Sequence, residues 1–490
     1  MKNVSLVRNI RDNYIRMIIN GVITFGTSII FTRTLDVETY GVYSYFIWFI
    51  LTASYLLNFG YEGTITKFVP EYYFNRNLEG TSSFLLYVLR RQTLVITVLI
   101  ILLILTLDIW KDILNIKEKY GKLIIILALI NILPNILLNI LVSTVQSVQR
   151  FDVFARVSIQ SNIITFILNA LLLITTKRIE YVFVVILLCN VYQIVLYLLW
   201  LQKDLSIHIH HFFQKNRILK DSKRIKKYAG YMYINIVWQQ IVWNRSEFFF
   251  LSLYSAADQV AFYGLAFSLV NMVNMGVSPF LSIVNNYLAK LVAIKEHEEI
   301  KLLIYNLTNI FTVILLFGLT IAFYFSSNLI NLIYTSKFSE ATSVFLILLF
   351  GFIIGKILNI ASSLPFYYEQ QKFIVFLGIV TGCVNIILDV IFIPNHGAIG
   401  AAVANTIAQI FFSVIQFVYT IIKFSLRVPY KNILSLFILN SVFIIIVLLL
   451  EIPLLIKFLI MLIFLLIYMI VCIKMKIFDR NYIRKLRENV

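Results

Sequence analysis

Apolar residues recur along the chain in runs of about 18 to 25, separated by short polar or glycine-containing turns. A helix rises about 1.5 Å per residue, so each run can cross a hydrocarbon layer roughly 30 Å thick. The pattern predicts fourteen membrane spans, at 14–32, 42–64, 84–107, 121–146, 156–176, 180–202, 228–251, 259–285, 302–326, 341–364, 373–394, 398–423, 432–450 and 453–473. The expected fold is all-α and polytopic. The first span begins among Arg8, Arg11 and Arg16 and shows no small-residue cleavage site, so it reads as a retained helix rather than a removed signal peptide.

The chain also repeats itself. "ETYGVYS" (38–44) opens the second span, and "DQVAFYG" (258–264) stands in the same place before the eighth, with Glu38–Tyr43 superposing on Asp258–Tyr263 at an offset of 220. The same offset carries "FILNALLLITTKRIEYV" (166–182) onto "IILDVIFIPNHGAIGAA" (386–402) and sets Asn169 on Asp389. Six spans per half is an even number, so both halves start on the same side of the membrane, which is a transporter arrangement. The organisation expected is an N-terminal six-helix lobe at 1–202, a basic linker at 203–227 and a second lobe at 228–423. Two extra helices and a basic tail follow at 424–490. The last two spans are the most uniformly apolar and are expected to face lipid.

Polar residues inside the spans fall on particular faces. Asn13, Arg16, Asn20, Thr24 and Thr27 are three or four apart in the first span, and so share one face. Ser44, Thr52, Tyr55, Asn58, Glu62 and Thr66 follow through the second; Asn235, Gln239, Arg245 and Ser246 mark the seventh; Ser268, Asn271, Asn274, Ser278, Ser282 and Asn285 mark the eighth. Such residues often only join helices. A charge facing lipid at mid-membrane costs roughly 2.5 to 3.5 kcal/mol, however, so charged stripes on spans 1, 2, 7 and 8 favour a hydrated cavity between the lobes. The segment "QQIVWNRSEFFFLSLY" (239–254) carries two such charges, and Arg245 and Glu247 are expected to point into water. Arg245 suits a phosphate because its fork of donors stays charged; an arginine reaching to the interface is the plainer alternative. Pro134 and Pro279 are expected kinks, "GFIIG" (351–355) an expected close helix contact, and Lys356 a residue of the cavity or the interface. Asp389, an intramembrane acid one turn after Asn385, is the candidate for ion coupling.

Composition sharpens this picture without redirecting it. The 490 residues are 60% hydrophobic and 13% charged, and the net charge is +18. With the amino terminus inside, most Lys and Arg fall at inward ends, so the charge reads as membrane topology with both termini cytoplasmic, not as a nucleic-acid footprint. The cluster "KNRILKDSKRIKK" (215–227) is a solvated linker beside anionic headgroups. Cys189, Cys383 and Cys472 lie in apolar spans and imply no disulfide framework, and "HIHH" (208–211) lacks the partners of a metal site.

Three stretches resemble the Wzx-type polysaccharide flippases of the multidrug/oligosaccharidyl-lipid/polysaccharide exporter superfamily: "RTLDVETYGVYS" (33–44), "NRSEFFFLSLYSAADQVAFYG" (244–264) and "NIILDVIFIPNHGAIGAAVANTIAQ" (385–409). The fourteen-span profile is similar over nearly the whole chain. The resemblance implies two lobes around a V-shaped cavity and the movement of a polyprenyl-pyrophosphate-linked oligosaccharide between leaflets by alternating access. On that reading Arg16 and Arg245 neutralise the pyrophosphate. Asn20, Tyr55, Asn58, Glu62, Asn235, Trp238, Gln239, Glu247, Asn271 and Asn274 line the path. Members often carry Asp-Arg where this chain has Asn244-Arg245, and Asn where it has Asp389, so a family-wide ion-coupling scheme does not transfer directly.

No cofactor is expected, a coupling cation (H+ or Na+) being the one candidate. The partners implied are the lipid-linked oligosaccharide, membrane lipids, and a polymerase and glycosyltransferases of the same pathway, in the cytoplasmic membrane of a prokaryote. No G-x-x-x-x-G-K-[ST] motif is present, so no nucleotide site is expected. The alternatives are an ion-coupled multidrug exporter of the same superfamily, a membrane-embedded glycosyltransferase or polymerase, and a purely structural membrane protein. The enzyme needs a large outward loop that the span spacing does not provide, and the structural protein has no use for charged stripes.

Overall fold

The computed structural model describes residues 6–108, 121–205, 222–243, 246–293, 295–361, 364–368, 370–448 and 454–475. "HIHH", most of the basic cluster and Arg245 lie outside them. Among the described residues all regular structure is helical: α1 (Leu6–Thr34), α2 (Val37–Leu57), α3 (Tyr61–Phe74), α4 (Leu78–Leu105), α5 (Lys122–Ser147), α6 (Phe151–Thr176), α7 (Glu180–Leu205), α8 (Ser222–Trp243), α9 (Ser246–Tyr254), α10 (Ala257–Ala293), α11 (His297–Tyr334), α12 (Ala341–Leu358), the single turn α13 (Leu364–Tyr367), α14 (Gln371–Phe424), α15 (Tyr430–Leu448) and α16 (Leu454–Lys474).

Eleven of the described helices are long and apolar enough to cross a membrane. That number differs from the fourteen expected spans for three local reasons. Spans eleven and twelve are both in α14, which bends at Gly397 (φ 52°, ψ −129°). Span thirteen is α15, whose apolar run is shorter, and span seven is shared between α8 and α9. Pro134 and Pro279 sit inside α5 and α10, which continue through them.

The continuous second span expected at 42–64 needs correction. α2 stops at Leu57 and α3 starts at Tyr61, because Phe59 (φ 51°) and Gly60 (φ 77°) both adopt left-handed backbone. Such a break would leave peptide groups bare within the hydrocarbon unless the protein meets them itself. It does so here: the Asn58 side chain accepts from the Glu62 amide at 2.9 Å, and the Asn58 carbonyl accepts from Gln92 Nε2 at 2.7 Å.

The 220-residue offset extends to backbone features. α2 begins at Val37 and α10 at Ala257. The left-handed turn residue Lys177, after α6, corresponds to the bend at Gly397. Asn169 and Asp389, matched by the same offset, are both buried.

By packing, the chain forms two compact units, Met1–Gly264 and Leu265–Val490, which divide inside α10 rather than at the 203–227 linker. The first unit retains α8, α9 and the start of α10 because they rest on α2 and α3. Trp48 stacks on Phe248 at 5.9 Å, and a Cβ on Gly41 would lie 1.8 Å from the Ala257 carbonyl oxygen. In the second unit Gly351 and Gly355 let α12 approach α14 at Thr406 and Ser413, as the small-residue spacing foretold. α15 and α16 use one face each on α11. Thr320 donates to Asn440, Asn432 to Asn309 at 2.9 Å, and the Tyr468 hydroxyl to the Val313 carbonyl at 2.9 Å. Leu434, Ile438 and Val442 on α15, and Leu459, Leu462 and Leu466 on α16, remain exposed for lipid.

Candidate functional site

Some residues of the polar stripes bond to the protein's own backbone instead. Asn58 is fully buried and caps the break. Asn131 of α5, outside those stripes, ties α5 to α7 by donating to the carbonyls of Leu127 at 2.8 Å and Phe183 at 3.1 Å. Thr27 donates to the Ile23 carbonyl four residues earlier in its own helix. Glu247, expected to face water, is fully buried in the first turn of α9, where aligned peptide dipoles favour an acid. The next residue, Phe248, also meets Tyr263 at 5.3 Å.

Arg16 and Asn20 both turn toward α6. The Arg16 guanidinium donates to Asn13 Oδ1 at 3.0 and 3.2 Å and lies 4.4 Å from the Phe154 ring centre, while Asn20 donates to Ser158 Oγ at 3.1 Å. Tyr55 is exposed and Glu62 half-buried on either side of the break. In the second unit Asn271 and Asn274 are half-buried on α10, with Ser278 donating to the Asn274 carbonyl at 2.7 Å. Asp389 is buried beside Asn385, whose Nδ2 lies 3.5 Å from its carboxylate. Lys356 is half-buried with its ammonium 5.1 Å from the Phe352 ring centre. Arg245 and the side chains of Asn235, Trp238 and Gln239 lie outside the described residues.

The break between α2 and α3 builds a pocket that the polar stripes do not mark. Gly60 lies directly against α8: a Cβ there would stand 2.3 Å from the Ala229 carbonyl oxygen and 2.6 Å from the Tyr233 amide nitrogen. This approach brings Lys226, Ala229, Gly230 and Tyr233 beside Phe59 and Tyr61, with the Phe59 and Tyr233 rings 5.6 Å apart. α4 supplies the opposite wall with Tyr87 and Arg91, one turn apart on one face. Arg91 Nη1 donates to the Tyr61 hydroxyl at 2.5 Å and to the Tyr87 hydroxyl at 3.2 Å. The cavity measures about 560 Å³, and among the described residues its lining contains two cations and no carboxylate.

Charges deeper toward the same end of the helices are paired differently. Arg224 on α8 makes a two-pronged bond to Glu71 on α3, at 2.7 and 3.1 Å, and Lys67 stands 4.0 Å above the Tyr228 ring. Sequence periodicity overlooks Arg91 because its neighbours at four-residue spacing are Tyr87 and Val95, an aromatic and an aliphatic. The signal available was the Arg90-Arg91 pair inside an apolar span. The second unit contains an apolar groove of about 700 Å³ along α10, α11 and α12, lined by residues such as Phe280, Phe311, Leu349 and Ile353. Its lining suits hydrocarbon rather than sugar.

The fold has solved counterparts. The lipid II flippase MurJ, in an inward closed conformation, matches 93% of this chain and 97% of its own, at 19% identity and a TM-score of 0.72. An inward-facing multidrug resistance MATE family transporter of the MOP superfamily matches 83% of this chain and 94% of its own, at 14% identity and a TM-score of 0.66. A MOP superfamily transporter from Pyrococcus furiosus matches 85% and 96%, at 13% identity and a TM-score of 0.53. At these identities the likeness is one of fold alone. No curated protein matches the sequence. The model of the polysaccharide biosynthesis protein family matches residues 6–284, more than half of the chain, and the chain belongs to that family.

Proposed function

We propose that this protein is a flippase that moves a polyprenyl-diphosphate-linked oligosaccharide from the inner to the outer leaflet of the cytoplasmic membrane by alternating access. The observation that carries the reading is membership of the polysaccharide biosynthesis family in a chain with the fold of a lipid II flippase. Physical chemistry supplies the need. A diphosphate and several sugars cannot enter hydrocarbon without losing their hydration, at a cost of several kcal/mol per unsatisfied polar group. The prenyl tail has no such cost and remains in lipid. The protein therefore has to offer the headgroup polar and cationic partners, and Arg16, Arg91 and Lys226 are of that kind.

The multidrug-exporter alternative is less well served by the same residues. Among the described residues, a cationic drug would meet two positive charges and no carboxylate in the pocket at the α2–α3 break. Asp389 remains the group proposed for a coupling cation, H+ or Na+, being a buried acid in the second unit. The polymerase and glycosyltransferases of the pathway are the proposed partners, supplying and consuming the lipid-linked unit.

The test uses right-side-out vesicles loaded biosynthetically with the lipid-linked unit and treated with an impermeant periodate reagent. Sugars should become oxidisable only when the protein is present. Equal oxidation with and without the protein would remove the flippase reading.

A further inference from the structure

We infer that the pocket at the α2–α3 break binds the phosphate of a lipid headgroup, with Arg91 and Lys226 as its cationic ligands. Tyr61 and Tyr87 hold Arg91 in position. The identity of the lipid, a diphosphate-linked glycan carrier, rests on the flippase reading; the phosphate chemistry rests on the pocket.

Charge is the first argument. Arg91 is bonded through Nη1 to two tyrosine hydroxyls, which orient the guanidinium but do not neutralise it. Among the described residues no carboxylate pairs with Arg91 or Lys226, and Nε and Nη2 of Arg91 keep donors for a ligand. An arginine fork with two donors left suits two oxygens of one phosphate. Arg224 shows the contrast, since Glu71 already takes both prongs of its guanidinium.

Depth is the second. Arg91 precedes Leu105, the end of α4, by fourteen residues. At about 1.5 Å per residue it lies roughly 21 Å from that end of the hydrocarbon layer and roughly 9 Å inside the other boundary. A long side chain at that depth reaches the interface, where headgroup phosphates lie. Lys226 stands in the second turn of α8 at the same end, which the distribution of Lys and Arg assigns to the cytoplasm.

Room and surface are the third. The cavity of about 560 Å³ exceeds a phosphate, and the Phe59, Tyr87 and Tyr233 rings that wall it offer the mixed apolar and hydroxyl surface on which a sugar ring can lie. Gly230 keeps the α8 wall open, with no atom within 4 Å of where a Cβ would stand.

The experiment is lipid retention by the purified full-length chain in native mass spectrometry, comparing wild type with Arg91→Gln, Lys226→Gln and the double variant. The probes are undecaprenyl diphosphate, phosphatidylglycerol and the uncharged undecaprenol. The double variant is expected to retain at least about tenfold less undecaprenyl diphosphate, which needs only the loss of one charge-assisted contact, with undecaprenol unchanged. Loss of undecaprenyl diphosphate alone supports the glycan carrier as the source of the phosphate. Loss of both phosphate lipids supports the site as a general phosphate site. If the wild type holds phosphatidylglycerol through Arg91 but never undecaprenyl diphosphate, the site stands and the flippase reading falls. Equal retention of both phosphate lipids by wild type and double variant overturns the inference. Should Arg91→Gln fail to fold, Lys226→Gln gives the same test from an exposed lysine at the rim.

Discussion

Gly60 is the position on which the pocket geometry depends, and Gly60→Ala tests that dependence. Two costs combine. The residue has φ +77°, and an L side chain in left-handed backbone costs about 1 to 2 kcal/mol. The new Cβ would also stand 2.3 Å from the Ala229 carbonyl oxygen and 2.6 Å from the Tyr233 amide nitrogen. Both are backbone atoms, so no rotamer change relieves the overlap and α8 itself must move, at an overpacking cost of about 1 to 3 kcal/mol. The sum is about 2 to 5 kcal/mol, read as a lower melting temperature of the purified protein in detergent. Gly60→Asn separates the two costs, because Asn tolerates left-handed backbone but carries the same Cβ. Gly230→Ala, on the facing helix in open space, is the matched control and should be neutral or stabilising by up to about 1 kcal/mol. If Gly60→Ala melts with Gly230→Ala at the wild-type temperature, α3 and α8 do not meet as described, and the pocket loses its frame.

Asn58→Ala should cost about 1 kcal/mol through the lost cap on Glu62, and Gln92→Leu about 1 to 3 kcal/mol because it strands the Asn58 carbonyl in an apolar surround. Both are measured by the same melting assay, and a neutral pair would mean that water satisfies the break. Arg245→Ala should abolish surface polysaccharide at normal protein abundance; unchanged polysaccharide would take Arg245 out of the mechanism. Asp389→Asn should leave abundance normal and remove the dependence of vesicle transport on an imposed H+ or Na+ gradient. A gradient response as large as that of wild type would end the coupling role of Asp389.

Length and apolarity made the membrane helices legible, and the 220-residue offset foresaw that α10 starts where α2 does. The 351–355 spacing likewise foresaw the close approach of α12 to α14. The α2–α3 break was not legible, because the three- and four-residue rhythm from Tyr55 to Asn58, Glu62 and Thr66 continues through Asn58-Phe59-Gly60 as though one helix spanned it. A lone glycine in a membrane run is common, and only the backbone of α8 lying on Gly60 shows that no side chain fits there. The stripes failed for a related reason. Helical periodicity says which residues share a face but not what that face meets: the Asn58 side chain meets the Glu62 amide at the start of α3, and the Asn131 side chain meets the Phe183 carbonyl of α7.

What separates a joining residue from a binding residue in this chain is whether its charge and donors are already used by the protein. Arg150 lies between Asp152, at 2.9 Å, and Asp204, at 2.5 Å, and Arg224 is taken by Glu71, so both are neutralised and tie elements together. Arg91 is anchored just as firmly, but by neutral tyrosines, and its positive charge is retained. An uncompensated cation inside the hydrocarbon boundary raises the energy of the empty protein and lowers that of a complex with an anion, so its burden becomes affinity once a phosphate arrives. Replacing Tyr61 and Tyr87 by carboxylates would hold the guanidinium equally well and abolish that affinity. The pairing with tyrosine is therefore the feature that distinguishes this pocket from the ion pairs around it.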